Sequence, residues 1–359
     1  MVVLIGLGLV GTMSSMLTWN YKPYRRKNIY GSAFLSLLMG GAGIYGSILI
    51  IVQFIVKPPW HAPSKLNKQN ILNPIVKGNA LKWYGLKVNN PLLDYNLPYT
   101  DVKIYHHQQD YYLSAWHIKD NERQSNVCVI MTHGAARDRR AFLRHTPFIY
   151  ENNIDCILFD CREHGLSSNN NLGISFGIRE AEDIKLVAEY AKQTCQYKYI
   201  VLMGTSQGAT SSIIAAYHLD YIDVVIAENP FSHRYTLLKE ILTRKLGISL
   251  FFPKLLERFI NLLIYLTYKK LNANDDIHPN AIDVIDLVKA PILLLHGTAD
   301  ITVNVEHSYD LYKKATQPKE LWILPGGQHT ALYDHQPTQY EEKIIKFIKQ
   351  TIKEPIIRQ

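Results

Sequence analysis

The chain has 359 residues, an apolar fraction of 47% and a formal net charge of +8. It is longer than one typical domain, with the apolar content of an ordinary globular protein. The charge is unevenly placed: residues 1–99 carry ten Lys/Arg and a single acid, Asp94, which leaves the remaining 260 residues at −1 and argues against nucleic acid as a substrate of the main domain.

Residues 2–19 and 32–56 are two uncharged, strongly apolar runs. Each is long enough to cross a hydrocarbon core as a helix. Their glycines suit helices packed in lipid, and Trp19, Tyr21, Tyr24 and Tyr30 flank them as interfacial aromatics do. A cleaved signal peptide competes for the first run, but a basic n-region and a small-residue cleavage site are both missing. The intervening loop, residues 20–28, carries Lys22, Arg25, Arg26 and Lys27. The positive-inside rule keeps such a loop in the cytoplasm. Residues 1–56 therefore predict a transmembrane helical hairpin, with the main domain on the non-cytoplasmic side. The lysines at 57, 65, 68 and 77 leave the opposite insertion open. Residues 57–98, rich in Pro, Lys and polar side chains, predict a linker that keeps the main domain near the bilayer.

From residue 99 the pattern changes. Residues 102–106 and 111–118 read as a β-hairpin. Apolar strands follow at 127–131, 154–159, 199–203, 223–227, 292–295 and 321–324, with helices between them at 139–150, 179–193, 209–217, from about 305, and at 338–352. Alternating strands and helices imply a mostly parallel eight-stranded sheet flanked by helices. Residues 231–289 exceed what such a sheet needs and predict a helical cap. Its helix at 254–271 is apolar nearly all round, which suits burial between cap and core, a wall for an acyl chain, or a surface that dips into a bilayer. Cys128, Cys156, Cys161 and Cys195 form no C-x-x-C pair and read as free thiols.

The stretch 199–209, YIVLMGTSQGA, is a strand, a sharp turn and a helix start. Gly204-Thr205-Ser206-Gln207-Gly208 is a G-x-S-x-G pattern. A serine on so tight a turn needs unbulky neighbours two positions away, and the strain lifts its hydroxyl above the sheet. The pattern also occurs in ordinary loops. Chemistry in parallel sheets gathers at the carboxyl ends of the strands. His133-Gly134-Ala135, Ser206, Asp300 and His329 all fall there. Ser206 as nucleophile needs a base, for which His329 is the candidate and His335 the rival. Asp300 is the candidate for orienting the imidazole, with Glu228 as rival. Cys161 with His164 lacks a second pair for a metal. His133 and Asp138 spell an acyltransferase-like H-x-x-x-x-D that overlaps the loop after the third strand.

The motifs HGAA (133–136), D-x-R-x-H-G-x-S (160–167), GTSQGA (204–209), HGTAD (296–300) and GGQH (326–329) come in one order over residues 99–359. In this they resemble α/β-hydrolases of the serine aminopeptidase-like group, which includes membrane-anchored α/β-hydrolase domain proteins. One departure is Glu163, where that group commonly has Gly. The resemblance implies an α/β-hydrolase fold and a Ser206–His329–Asp300 triad. It further implies an oxyanion hole from the backbone N–H groups of Ala135 and Gln207, and no cofactor or metal. The implied activity is hydrolysis of carboxylic esters, with acyl, lipid or thioester substrates and a bilayer as partners. A peptidase, an acyltransferase and a non-catalytic membrane scaffold stay open, as does the oligomeric state.

Overall fold

The computed structural model describes residues 43, 45–58, 90–120, 122, 125–246, 253–316 and 318–353. The first predicted span, the basic loop, most of the second span and residues 59–89 of the predicted linker lie outside the described residues. Among the described residues no helix is long and apolar enough to cross a membrane. The end of the second run is helical at residues 45–56 (α1). The linker's last part is ordered as well: a short helix Pro91–Tyr95 starts on Asn90, whose side chain accepts the Leu93 N–H.

The sheet has eight strands, as the sequence predicts. They are β1 (Tyr99–His106), β2 (Tyr111–Ile118), β3 (Val127–Thr132), β4 (Asp155–Phe159), β5 (Tyr199–Thr205), β6 (Val224–Glu228), β7 (Ile292–Gly297) and β8 (Lys319–Leu324). Their spatial order is β1-β2-β4-β3-β5-β6-β7-β8. The β1–β2 and β2–β4 pairs are antiparallel and all others parallel. The direction of winding reverses between β3 and β5, which opens a crevice at the carboxyl ends of those two strands. Ser206 and the His133-Gly134-Ala135 loop leave the sheet there.

The inner strands β3 to β7 are buried at every position except Tyr199, the first residue of β5, because helices cover both faces. One face is covered by α2 (Ile178–Glu189) and α3 (Gln207–His218), with Ile184, Val187, Ile213 and Ala215 in its core. The other face holds Phe142, Leu143, Ile344 and Phe347. The region read as one helix at 139–150 is instead a 3₁₀ segment Arg139–His145 followed by a short α-helix Thr146–Glu151. The predicted helix at 179–193 ends in a π turn, Tyr190–Thr194. Above the crevice stands the predicted cap, with α4 (Arg234–Leu246) and α5 (Pro253–Leu271). Its apolar cluster joins Phe231, Leu238, Ile260, Leu263 and Ile264 to Ile174, Phe176 and Val303, and α1 adds Val52 and Val56. The helix α5 is not buried all round: Leu255, Leu262 and Tyr265 are exposed.

The β5–α3 turn has no slack. A Cβ on Gly208 would lie 2.1 Å from the Thr132 carbonyl oxygen, and one on Gly204 would lie 2.3 Å from the Gly208 carbonyl oxygen. Both are backbone atoms that cannot swing aside. Gly208→Ala should therefore lower stability by about 1–3 kcal/mol, read as a fall in the urea unfolding midpoint. Gly46→Ala, where an added Cβ meets nothing within 4 Å, should leave the midpoint unchanged or slightly raised.

Candidate active site

Ser206 sits at the end of β5 with φ 55 and ψ −119, a left-handed conformation that only the surrounding packing can hold. Its own N–H donates to the Glu228 carbonyl at 2.8 Å. Its Oγ is 3.0 Å from His329 Nε2. The other ring nitrogen, Nδ1, is 2.6 Å from Asp300 Oδ2. The Asp300 side chain is fully buried and that of His329 is 17% exposed. The three residues named from the sequence thus meet in one hydrogen-bonded line. The two rivals stand elsewhere. His335 is exposed and bonded through Nε2 to the Pro325 carbonyl at 2.8 Å. The buried Glu228 carboxylate accepts the Tyr340 hydroxyl at 2.8 Å.

Asp300 is held from several sides. Oδ1 accepts the N–H groups of Thr302 at 2.7 Å and Val303 at 2.9 Å. Oδ2 also lies 3.4 Å from Nε2 of the buried His296. That nitrogen faces the Val303 carbonyl too, at 3.1 Å. With two acceptors in front of it, Nε2 carries the ring proton, and Nδ1 accepts from the Ser308 hydroxyl at 2.7 Å. Burial alone would raise the Asp300 carboxyl, but hydrogen bonds from His296 and His329 outweigh it and hold the group well below its usual range. The acid and histidine loops are pressed together, since a Cβ on Gly297 would be 2.1 Å from the Gly327 carbonyl oxygen. Asn229, buried and at φ 51, accepts the Thr330 N–H at 3.2 Å and so fixes the histidine loop from β6.

Gln207 opens α3, so its N–H is among those with no acceptor inside the helix. The loop after β3 passes close by: a Cβ on Gly134 would lie 3.3 Å from the Ser206 Cβ. Two buried histidines hold that loop. His164 donates from Nδ1 to the Arg162 carbonyl at 2.8 Å and accepts the Ala136 N–H on Nε2 at 3.2 Å. His133 donates from Nδ1 to the Gly134 carbonyl at 2.8 Å and accepts the Cys161 N–H at 3.0 Å. Both therefore serve as neutral rings that tie loops together. Asp138 pairs with Arg140 and caps the 3₁₀ segment, so the H-x-x-x-x-D pattern does not form a His–Asp pair. Below them Asp160 accepts the Arg139 N–H at 2.8 Å and pairs with its guanidinium at 2.7 Å, both side chains buried. Among the described residues no group of three or more His, Cys, Asp or Glu side chains is arranged to hold a metal ion. The four cysteines are free thiols.

Two surfaces flank Ser206. Ala135 packs against the apolar cap cluster. A cavity bounded by Gly134, Thr205 and Thr330 is lined by Ala141, Phe142 and His145 together with Arg137, Arg144 and Glu228. Sequence reasoning missed His296 and Asn229. His296 stands in HGTAD, but nothing local tells a strand-end histidine that braces from one that fills space. For Asn229 the signal was an Asn directly after a β-strand, a position that tolerates φ above zero.

A sequence profile described as the prolyl oligopeptidase family matches residues 169–355, a span that contains Ser206, Asp300 and His329. The Bacillus subtilis (strain 168) protein YqkD is 24% identical over 244 residues, covering 66% of this chain and 75% of its own length. Among solved structures, the Pyrococcus furiosus esterase Pf2001 superposes with a TM-score of 0.58 at 23% identity, over 73% of this chain and 94% of its own. Est1E of Butyrivibrio proteoclasticus, solved with ferulic acid bound, superposes with a TM-score of 0.53 at 20% identity, over 70% of this chain and all of its own. At these identities the structural likeness speaks for the fold alone.

Two outcomes follow from this geometry. Removing the second side-chain donor on Asp300 Oδ2 by His296→Leu should lower kcat by about 10- to 100-fold, the worth of one hydrogen bond to a charged group. KM should stay unchanged, as steady-state kinetics on a soluble ester would show. For His164, burial and then the neighbouring His133 push the ring from its ordinary 6.5 down to about 4. A lowered histidine stabilises the fold fully above 6.5, and its contribution is lost as pH falls through about 4. Urea midpoints measured across that window should fall with pH, and less steeply in His164→Gln.

Proposed function

This chain belongs to the prolyl oligopeptidase family, has the α/β-hydrolase fold and is a serine hydrolase; from that premise we propose that Ser206, His329 and Asp300 are its catalytic triad and that it cleaves carboxylic esters with an apolar acyl part. Ser206 Oγ attacks the ester carbonyl carbon while its proton passes to His329 Nε2. Asp300 keeps the His329 proton on Nδ1 and stabilises the imidazolium that forms. The backbone N–H groups of Gln207 and Ala135 receive the negative oxygen of the tetrahedral intermediate. As the C–O bond to the leaving group breaks, His329 gives its proton to the departing alkoxide and an acyl-Ser206 remains. Water then attacks the acyl carbon, losing a proton to His329, and Ser206 is released with its hydroxyl restored.

The observation that carries the ester reading is the contact of Ala135 with the apolar cap cluster. An acyl chain bound there places its carbonyl at the proposed oxyanion donors. The cavity beside the site has a mixed lining, with Ala141 and Phe142 next to Arg137 and Arg144. Lipid esters and acyl thioesters both carry an apolar acyl part of the kind the cap cluster suits. The apolar runs at 2–19 and 32–56 support anchoring in a bilayer, with the hydrolase domain on the non-cytoplasmic side. A second reading, cleavage of peptide amides, is favoured by the name of the family itself.

A fluorophosphonate probe should label the wild type and leave Ser206→Ala unlabelled. That substitution should also reduce ester turnover by roughly 10⁴-fold or more. Equal labelling of both would sink the assignment of the nucleophile. On parallel panels of p-nitrophenyl esters and peptide amides, turnover should rise with acyl length. Turnover confined to the amides would transfer the activity to the peptidase reading.

A further inference from the structure

The departure at Glu163 has a structural use. Glu163 is buried at φ 68, and its carboxylate accepts the N–H groups of Asn170 at 2.7 Å, Leu172 at 2.6 Å and Gly173 at 3.1 Å. These bonds fold residues 169–174 into a seat for the end of α1. The Ile174 N–H donates to the Val56 carbonyl at 2.8 Å. Gly173, at φ 79, lies so close that a Cβ there would be 2.3 Å from the same oxygen. The Lys57 ammonium donates to Asn171 Oδ1. On the cap side, Val52 and Val56 are buried against Phe231, Leu238 and Ile260. The last turns of the second apolar run are therefore fastened to both the body and the cap. They do not form a loose tether.

The cap helix packed on the same cluster is two-sided. It buries Ile260, Leu263, Ile264 and Thr267. Leu255, Arg258, Leu262, Tyr265 and Lys269 are exposed and recur at the three- and four-residue steps of one helical stripe. Leu255 is 65% exposed and Tyr265 is 62% exposed. Lys254 and Lys270 are exposed too, and the exposed acid of this helix, Glu257, is paired with Lys239 at 3.2 Å. Apolar side chains interleaved with positive charge suit the headgroup region of an anionic bilayer. On α1, Tyr45, Leu49, Ile50 and Phe54 are likewise exposed.

We propose that the exposed stripe of α5 docks on an anionic bilayer surface, and that the seat built by Glu163 and Gly173 holds α1 so that the cap meets this surface in a fixed attitude. The inference rests on the membrane reading above and adds to it the face and the lipid charge.

The full chain is placed in nanodiscs of brominated phosphatidylglycerol or brominated phosphatidylcholine, with an indole introduced by Tyr265→Trp or, as a control, by Tyr309→Trp on the helix Glu306–Lys314. Bromine should quench the added fluorescence of Tyr265→Trp at least about twofold more than that of Tyr309→Trp, and more strongly in phosphatidylglycerol. The quenching should fall on adding Gly173→Val, which unseats α1, and on adding Arg258→Glu with Lys269→Glu, which lie on the surface and do not threaten folding. Incorporation into discs with no quenching at Tyr265→Trp overturns the docking face and leaves membrane anchoring standing. Failure to incorporate in any lipid overturns both. A dimer abolished by Leu262→Asp, without quenching, gives the face to a second copy of the chain and overturns the lipid assignment.

Discussion

The close approach of the first turn of α3 to the end of β3 is the constraint on which the rest of the site depends. The Thr132 carbonyl occupies the space that a side chain on Gly208 would take, and Gly208 occupies the space that one on Gly204 would take. Only with both glycines can β5 turn into α3 within a single residue. That residue is Ser206, left with φ 55. The strain is of order 1–3 kcal/mol, and five buried parallel strands around it hold it in place. Because the turn lies where the sheet reverses its winding, the hydroxyl emerges beside the loop after β3 and opposite the loops after β7 and β8.

Around this fixed point, the loops are shaped by buried polar groups that touch no reacting atom. Most of their buried polar atoms find partners within the fold, as burial requires; Arg139 Nη1 and Asn229 Nδ2 are without one among the described residues. His133 and His164 act as neutral cross-links between the loops after β3 and β4. The buried Arg139–Asp160 pair joins the same two loops from below. On the opposite side, His296 and Asn229 hold the acid and histidine loops. The candidate site is therefore held by a frame whose bonds are already made in the folded chain.

The same frame reaches the N-terminal region. Glu163, next to His164 in the chain, spends its carboxylate on the segment that receives Val56 and Lys57. The loop that braces Ala136 and the loop that seats α1 are thus parts of one continuous stretch, residues 160–174. Glu163, the departure within its motif, is thus bonded to the segment that receives the end of α1.

Much of the fold was legible in the sequence, because strands and helices announce themselves through local periodicity and glycine spacing. The eight strands, the cap and the order Ser206, Asp300, His329 needed nothing more. Where local geometry is irregular, as in the 3₁₀ segment at Arg139 and the π turn at Tyr190, periodicity misled by a few residues. The sequence favours His329 over His335 and Asp300 over Glu228, but only the tertiary structure brings the favoured pair into one hydrogen-bonded line with Ser206. The uses of His296, Asn229 and Glu163, and the half-exposed character of α5, belonged to the tertiary structure. His329 and Ser206 are 123 residues apart in the chain yet 3.0 Å apart in space. A hydrogen bond depends on distance and direction at the scale of tenths of an ångström, and no spacing along the chain encodes that until the sheet has brought its strand ends together.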